Sequence, residues 1–361
     1  MNLNIKTVMA STKNIKKILW WGRSDLSYAR NSVIRNVMSD LGVSIIDFKP
    51  RLSFFSQLQA SLASLGDVDA VWVPCFRQRD IASASKWAKK KNIPLIFDPL
   101  ISAFDKQVFE RKKFLPTSPA AKKLLEWERK LFQKADVIIA DTELHAKYYE
   151  ETLGVDPSKT HVIPVSSDEN IFTFKKYLND RSEFRILFYG NYLELHGIDV
   201  IAQAIVENKN DSIYWTLIGD GPTRKSAEEK CKGLPNIEFI DWVDYEELPK
   251  LIHDSNIVLG IFDTGNKASR VIPNKVYQAL ACGRSVVTLQ SLAYPSELLK
   301  NTTGIYWSQA GDSTSLLDAV ERAIAHGSEN DSQCARAAYE KYFSNTVVNE
   351  SLKKVLTFPH K

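Results

Sequence analysis

The sequence predicts an α/β protein built from two doubly wound, Rossmann-like domains that face a central cleft. Three observations support this prediction. Short apolar runs alternate with helical patterns along nearly the whole chain, and the runs are continuous, as in parallel strands that helices cover on both faces. A polar stretch, KKYLNDR at residues 175–181, interrupts the alternation, which then restarts. The length of 361 residues suits two domains of about 150–200 residues each.

The apolar runs locate the elements in order. Strands are predicted in the first half at residues 17–21, 44–48, 70–74, 94–98, 137–140 and 161–164, separated by helices such as 31–41, 81–90 and 119–134. The second half has strands at 185–189, 214–218, 237–240, 257–261, 285–289 and 304–307, with later helices near 314–325 and 332–342. We therefore expect an N-terminal domain at 1–174, a linker at 175–182, a C-terminal domain at 183–343, and a tail at 344–361 that packs back on the N-terminal domain.

Composition excludes several functional classes. The formal net charge of +4 is too small for a general nucleic-acid binder. No apolar run approaches the ~18–20 residues of a membrane-spanning helix, and the N-terminus does not resemble a secretory signal. The four cysteines lie far apart and form no metal-binding spacing. Asp67 and Asp69 mimic a metal-binding DxD pair but precede a strand, away from the cleft. We expect a cytoplasmic protein with reduced thiols and no metal site.

The run RVIPNKVYQALACGRSVVT, at residues 270–288, carries the strongest functional signal. A loop ending at Pro273 leads into a short helix that begins at Asn274, and the first N–H groups of a helix are free to bind phosphate. Lys275 lies in the first turn, where the helix dipole disfavours a cation unless an anion binds there. The alternative is a lysine that simply reaches solvent.

Three further motifs of the second half follow strands and can face the cleft. The motifs are LFYGN with the ELHGID that follows it, then IGDGP, then FIDWV. Their donor-binding candidates are Gly190, Asn191, His196, Gly219, Asp220, Trp242 and Val243. Gly190 allows the backbone to approach a ligand closely, and Trp242 offers an indole face to a planar base. His196 either donates to a phosphate oxygen or belongs to a surface loop. The GxGxxG fingerprint is absent, so we expect no dinucleotide cofactor.

The order of these motifs resembles the nucleotide-sugar-binding half of GT-B glycosyltransferases, family 4 (glycosyl transferases group 1) in particular. IGDGP and IPNKVYQALACG are the most specific parts, and DVIIADT at residues 136–142 extends the resemblance to the first half. The resemblance implies that the Lys275 helix and the Gly190 loop hold the diphosphate of a nucleotide sugar, while Trp242 and Val243 flank the base. It also implies retention of anomeric configuration and no cofactor besides the nucleotide sugar.

The chain departs from the pattern of that family. Asn191 and His196 stand where the family commonly has Arg and Lys. The two acidic residues of the family's E-x7-E pair fall on Arg270 and Gln278. Gln278 can still bond ribose hydroxyls, though without a charge-assisted bond, whereas Arg270 makes the loop more cationic, which suits a diphosphate. Glu297, after the following strand, is our candidate for the remaining acid near the donor.

Polar residues after two strands of the first half are the candidates for the acceptor side. Ser27, Arg30 and Asn31 follow the first strand and either bind sugar hydroxyls or form a helix-capping loop. Asp98 and Asp105 follow the fourth strand, where the family often places a catalytic His. We expect one of them to contact the acceptor hydroxyl or to act as its base; the alternative for Asp98 is that it caps the next segment.

Residues 106–134 mix nine basic residues, Arg111 and Lys112 among them, with interleaved aromatic and aliphatic side chains and only three acids. This composition suits anionic lipid headgroups or a lipid-diphosphate acceptor. A solvated helix face over core aromatic residues is the alternative.

The sequence therefore predicts a glycosyltransferase that moves a sugar from a nucleotide-diphosphate donor to a saccharide acceptor in bacterial surface-polysaccharide assembly, and we expect that acceptor to be lipid-linked. We expect it in the cytoplasm, at times on the inner face of the membrane, with no nucleic-acid partner. Metal is not needed where cationic side chains and a helix dipole stabilise the departing diphosphate. Two alternatives stay open: a nucleotide-sugar epimerase or hydrolase of the same fold, and a non-catalytic nucleotide-sugar-binding partner.

Overall fold

The structure, a computed structural model, describes residues 12–63, 65–176, 183–300, 304–327 and 329–359. Its strands are β1 (Thr12–Asn14), β2 (Lys17–Trp21), β3 (Ser44–Phe48), β4 (Ala70–Val73), β5 (Leu95–Phe97), β6 (Val137–Ala140), β7 (Thr160–Val162), β8 (Phe184–Tyr189), β9 (Ile213–Ile218), β10 (Ile237–Ile240), β11 (Ile257–Leu259), β12 (Ser285–Leu289), β13 (Ile305–Ser308) and β14 (Thr357–Pro359).

Helices separate these strands, and three helices follow one another near the C-terminus. The α-helices are α1 (Ala29–Asp40), α2 (Ser56–Leu62), α3 (Ile81–Lys91), α4 (Ala103–Asp105), α5 (Pro119–Phe132), α6 (Glu143–Leu153), α7 (Ile198–Glu207), α8 (Arg224–Lys230), α9 (Leu248–His253), α10 (Asn274–Ala281), α11 (Ser313–His326), α12 (Glu329–Tyr342) and α13 (Asn345–Leu356).

The strands form two parallel sheets of six. The first has the order β3-β2-β4-β5-β6-β7 and the second the order β10-β9-β8-β11-β12-β13. The central strands are buried on both faces because helices cover each sheet on both sides, and this burial explains the continuous apolar runs. The predicted α/β fold class with two doubly wound domains is confirmed, and each predicted strand is present with small shifts at its ends.

Parallel strands place all their carboxyl ends at one edge of a sheet, so the loops after β2, β5 and β6 share one edge of the first sheet. The loops after β8, β9 and β10 share one edge of the second. Hydrogen bonds and ion pairs link loops of the two edges, for example from the Thr142 hydroxyl to the Arg270 carbonyl oxygen at 2.6 Å. The cleft predicted between the domains therefore lies at both carboxyl edges.

The end of the chain returns to the N-terminal domain. Helix α13 packs on α1, and its apolar face, which includes Val348 and Leu352, joins the core around β2 and β4. Strand β14 then pairs antiparallel with β1. Lys175 and Lys176 of the predicted linker are described, with the Lys175 carbonyl accepting a bond of 2.8 Å from Arg284; residues 177–182 of that prediction lie outside the described residues.

Candidate active site

Two glycine-bearing loops form the floor of the C-terminal side of the cleft. Strand β8 ends before Gly190 and strand β9 before Gly219, both with the positive φ angles that favour glycine, 148° and 118°. A Cβ atom on Gly219 would lie 2.0 Å from the Gly190 carbonyl oxygen. No residue with a side chain fits there, because the two loops lie in direct backbone contact.

Lys275 reaches this floor from the first turn of α10. No side chain caps the helix at Pro273, which leaves its first N–H groups without a side-chain partner. The Lys275 side chain is buried, and its Nζ has no hydrogen-bond partner within the described residues. Nζ lies 3.7 Å from the centroid of the Phe188 ring and 3.5 Å from the position of a Cβ on Gly190. Burial holds the pKa of Lys275 well below its usual value.

His196 brings a second unpaired nitrogen to the same place. Its ring packs edge-on against Phe188, and its Cε1 lies 3.2 Å from the Cβ position of Gly190. Nδ1 is sealed from solvent and has no partner among the described residues. Burial, and then the charge of Lys275, hold the pKa of His196 well below its usual value. Two buried nitrogens without partners among the described residues, beside the uncapped start of α10, are an arrangement that can accept an anion. We call Gly190, His196, Gly219 and Lys275 the anion pocket.

The other two cations of the loop before α10 are engaged across the cleft. Arg270 donates to Asp105 at 2.6 Å, and its guanidinium lies over the Tyr148 ring at 4.4 Å. Lys267 pairs with Glu110 of the N-terminal domain. Arg270 therefore neutralises a carboxylate instead of adding free charge to the anion pocket, which leaves Lys275 as the unpaired cation there.

Asp98 and Arg30, predicted for catalysis and acceptor binding, bind each other. Both side chains are buried, and the Arg30 guanidinium donates to both oxygens of Asp98, at 2.8 and 3.3 Å. Arg30 also donates to the carbonyl oxygens of Ile163 and Pro164. The pair fastens α1 to the ends of β5 and β7, so its polar atoms are already bonded to protein.

The polar side chains of the other acceptor candidates also bond to protein groups. The Asn31 amide donates to the Asp25 carbonyl oxygen at 2.6 Å and its oxygen accepts from Cys75. The Ser27 hydroxyl donates to the Asp25 carboxylate at 2.6 Å, while the residue that caps α1 is Tyr28. Arg111 and Lys112 are exposed, and Lys112 pairs with Glu194 of the opposite domain.

The remaining donor candidates differ in their exposure and in the bonds that they make. Asn191, Asp220 and Trp242 are exposed, with Trp242 69% exposed, whereas Val243 and Asn274 are half-buried. Gln278 is buried between two tyrosines: its Oε1 accepts from Tyr189 at 2.7 Å and its Nε2 donates to Tyr245 at 3.3 Å. Glu297 is exposed, and Lys341 and Tyr342 of α12 hold its carboxylate.

Sequence reasoning missed one pair at the same edge of the first sheet. Asp141 follows β6, and its carboxylate lies 2.5 Å from Nδ1 of His145, one turn into α6; both side chains are buried. The next residue, Thr142, caps α6 and reaches across the cleft to Arg270. An Asp at a strand end followed four residues later by His was the available signal.

Two family models match the chain and between them cover both domains. Residues 183–326 match the model described as Glycosyl transferases group 1, and residues 35–166 match the Glycosyl transferase 4-like domain. The chain belongs to the group 1 glycosyltransferases. The predicted resemblance is thereby confirmed, and the molecule is a glycosyltransferase with the GT-B architecture.

Curated relatives of this glycosyltransferase include proteins of bacterial polysaccharide biosynthesis. WcaI of Escherichia coli (strain K12), named as a colanic acid biosynthesis glycosyl transferase, is 26% identical over 33% of the chain and 30% of its own length. TuaH of Bacillus subtilis (strain 168), named as a teichuronic acid biosynthesis glycosyltransferase, is 22% identical over 44% of the chain and 42% of its own length. The aligned part of the chain thus spans less than half of either relative.

Solved structures share the fold over nearly the whole glycosyltransferase. HepE of Anabaena, in complex with UDP, superposes with a TM-score of 0.70 at 14% identity, over 94% of this chain and 99% of that one. Within the described residues, no helix is long and apolar enough to cross a membrane, and no three His, Cys, Asp or Glu side chains are grouped as a metal site.

We expect Lys275→Met to stabilise the protein in the absence of ligand. In the unfolded chain the pKa of this lysine returns to near 10.4. Below that pH, protonation of the lysine lowers the free energy of the unfolded state more than that of the folded state. The wild-type protein therefore loses stability as the pH falls. The gain from Lys275→Met should be largest at neutral pH and shrink by up to about 1.4 kcal/mol per pH unit as the pH rises towards 10. Urea unfolding at pH 7, 8 and 9 measures it.

Lys250→Met, at an exposed position of α9, is the matched control and should change stability little at any of these pH values. A Lys275→Met protein that is less stable than the wild type at pH 7, or equally stabilised at all three pH values, would contradict the assignment of a buried amine with a lowered pKa.

Proposed function

We propose that this glycosyltransferase moves a sugar from a nucleoside diphosphate donor to a lipid-linked saccharide acceptor during assembly of a bacterial surface polysaccharide. The bond from the anomeric carbon to the diphosphate breaks, a bond to the acceptor hydroxyl oxygen forms, and the hydroxyl proton passes to a base. The resemblance to family 4 supports retention of anomeric configuration, and the names of WcaI and TuaH support the polysaccharide setting.

The anion pocket is the observation that carries this proposal. Lys275 and His196 present buried nitrogens without partners, which is unfavourable in a protein interior unless a ligand completes the bonds. A diphosphate supplies several acceptor oxygens and a negative charge of the sign that the α10 N-terminus favours. Bound there, it raises the pKa of Lys275 again, so the lysine becomes charged where the leaving group develops its charge.

The base and ribose of the nucleotide extend from this pocket towards β10. Trp242 has an exposed indole face after β10, and a planar base can stack on it. Gln278 is held by Tyr189 and Tyr245, so ribose contacts require those bonds to be shared or exchanged. UDP is the first nucleotide to test, because the HepE structures are described as complexes with UDP and with UDP-glucose.

Asp105 is the carboxylate that we propose at the reacting end of the acceptor. Both oxygens of Asp98 are occupied by Arg30, whereas Asp105 points across the cleft to Arg270, on the loop that leads to Lys275. Arg270 fixes the Asp105 carboxylate at the boundary between the domains, where donor and acceptor meet. A base placed there can take the acceptor hydroxyl proton.

We expect Lys275→Met to weaken UDP binding by about tenfold or more, because a charge-assisted hydrogen bond to phosphate is lost. Uridine has no phosphate, so its affinity should change little. Calorimetric titration of both ligands into both proteins measures the difference. At pH 8, wild-type titrations in buffers of different ionisation enthalpy should also reveal net proton uptake with UDP, which the variant lacks.

Lys250→Met is again the control and should bind UDP as the wild type does. An equal loss of affinity for UDP and for uridine in Lys275→Met would overturn the placement of the diphosphate. Screening GDP, ADP and CMP by thermal shift extends the test to other bases, since a bound nucleotide raises stability by mass action.

Activity should survive EDTA, since the helix N-terminus and Lys275 stabilise the leaving diphosphate. Release of UDP from a panel of UDP-sugars, with soluble mono- and disaccharide acceptors, measures this. Loss of activity in EDTA with recovery on adding Mg²⁺ or Mn²⁺ would refute metal independence. Equal UDP release with and without acceptor would favour a hydrolase instead.

Asp105→Asn should lower kcat by about 100-fold or more, the usual contribution of a general base, while UDP affinity stays unchanged. Arg270→Gln breaks the same ion pair but keeps the carboxylate, so it distinguishes catalysis from domain contact. We expect a clearly smaller loss of kcat in Arg270→Gln. Equal losses in the two variants would show that Asp105 acts only through its pairing with Arg270.

A further inference from the structure

We propose that a groove in the N-terminal domain, lined by the loops after β3, β4 and β5 and by α5, binds the phosphate and the apolar chain of a lipid-linked acceptor. The inference rests on the proposed function and names the part of the acceptor that lies beyond the reacting sugar. The groove has a volume of about 1160 Å³, larger than ordinary small-molecule pockets of about 300–1,000 Å³. We call it the basic groove; its cationic lining residues are Arg51, Arg77, Arg79, Lys106, Arg111 and Lys113.

Five of the six cations of the basic groove have no ion-pair partner among the described residues. None of the described residues that line it is acidic. Arg77 pairs with Asp80 at 2.6 Å, but in the described part of the chain no carboxylate forms an ion pair with any of the other five cations. Burial, and then the neighbouring charge of Arg111, lower the pKa of Lys106. Like charges gathered without a protein partner favour an anionic ligand, and phosphate matches guanidinium groups best.

The exposed apolar side chains of the groove indicate that the ligand also has a hydrocarbon part, which can pack against them. Phe54, Phe76 and Trp127 line it and are 84%, 41% and 37% exposed. Lys106 lies 5.3 Å from the Phe76 ring centroid and Lys113 lies 5.7 Å from that of Phe114, so cations and rings are interleaved. A free saccharide would leave these rings in water, and a flat bilayer surface would not fill a concave groove. An amphiphile with a phosphate head satisfies both parts.

The position of the groove connects it to the reaction. Lys106 directly follows Asp105 in the chain, and Ile101 and Ala103, on the same loop and helix, also line the groove. A phosphate bound by Lys106 and Arg111 therefore lies beside the carboxylate that meets Arg270 of the other domain. The saccharide between phosphate and reacting hydroxyl then points into the cleft while the lipid chain points away.

Calorimetry of the full chain with farnesyl diphosphate tests this proposal. Saturating UDP is present so that the anion pocket is filled, and inorganic pyrophosphate and farnesol serve as the two halves of the probe. We expect farnesyl diphosphate to bind at least about tenfold more tightly than either half, and Arg111→Glu with Lys113→Glu to weaken it by about tenfold or more. The matched control, Lys122→Glu with Lys123→Glu, changes two exposed lysines of α5 outside the groove and should bind as the wild type does.

Several results would overturn the groove. These are equal weakening in both double variants, displacement of farnesyl diphosphate by UDP, and binding to phosphatidylglycerol vesicles without binding to farnesyl diphosphate. UDP affinity is measured for every variant. If UDP binds normally but the groove variants bind farnesyl diphosphate as the wild type does, the groove proposal alone is refuted. If the wild-type protein does not bind UDP, the proposed function itself is refuted.

Discussion

A lysine amine without a hydrogen-bond partner among the described residues, enclosed at the N-terminus of a helix, is the constraint on which the site depends. Lys275 sits where the dipole of α10 and the lack of water both disfavour its charge. Two features confine it: the Phe188 ring on one side and the Gly190 loop on the other. Position 219 requires glycine because the carbonyl oxygen of Gly190 occupies the space that a side chain would need. A protein that keeps such an arrangement is less stable when empty and gains when an anion arrives.

The same segment carries the contacts that hold the domains together. Arg270 and Lys267 precede α10 and pair with Asp105 and Glu110 of the opposite domain. Where the family has a carboxylate on the donor side, this chain has a guanidinium, and the carboxylate that meets it comes from the acceptor side. Because α13 also returns to the N-terminal domain, both domains meet at the cleft and at the chain's end.

The candidate site could be read from the sequence only in part. The sequence predicted that the Lys275 helix and the Gly190 loop lie together on the donor side, because helix starts and glycine turns are local features. His196 was predicted with an alternative, and its enclosed Nδ1 favours the ligand interpretation over a surface loop. Asp98 and Arg30 were predicted separately, since nothing in the sequence shows that two residues 68 positions apart form one buried pair. The Asp141–His145 contact was within reach of sequence reasoning, at helical spacing, and was not singled out.

Local sequence patterns are enough to predict the alternation of strands and helices, the two-domain organisation and the glycine and helix-start motifs of the donor side. These depend on hydrophobic periodicity and on backbone preferences, which act over a few residues. The folded structure settles which basic side chains remain unpaired: Arg270 is neutralised from 165 positions away, while Lys275 has no partner among the described residues. It also decided that Phe54, Phe76 and Trp127, from three separate elements, share one groove with unpaired cations. Ion pairing and cavity shape depend on distances between atoms that the chain brings together only on folding.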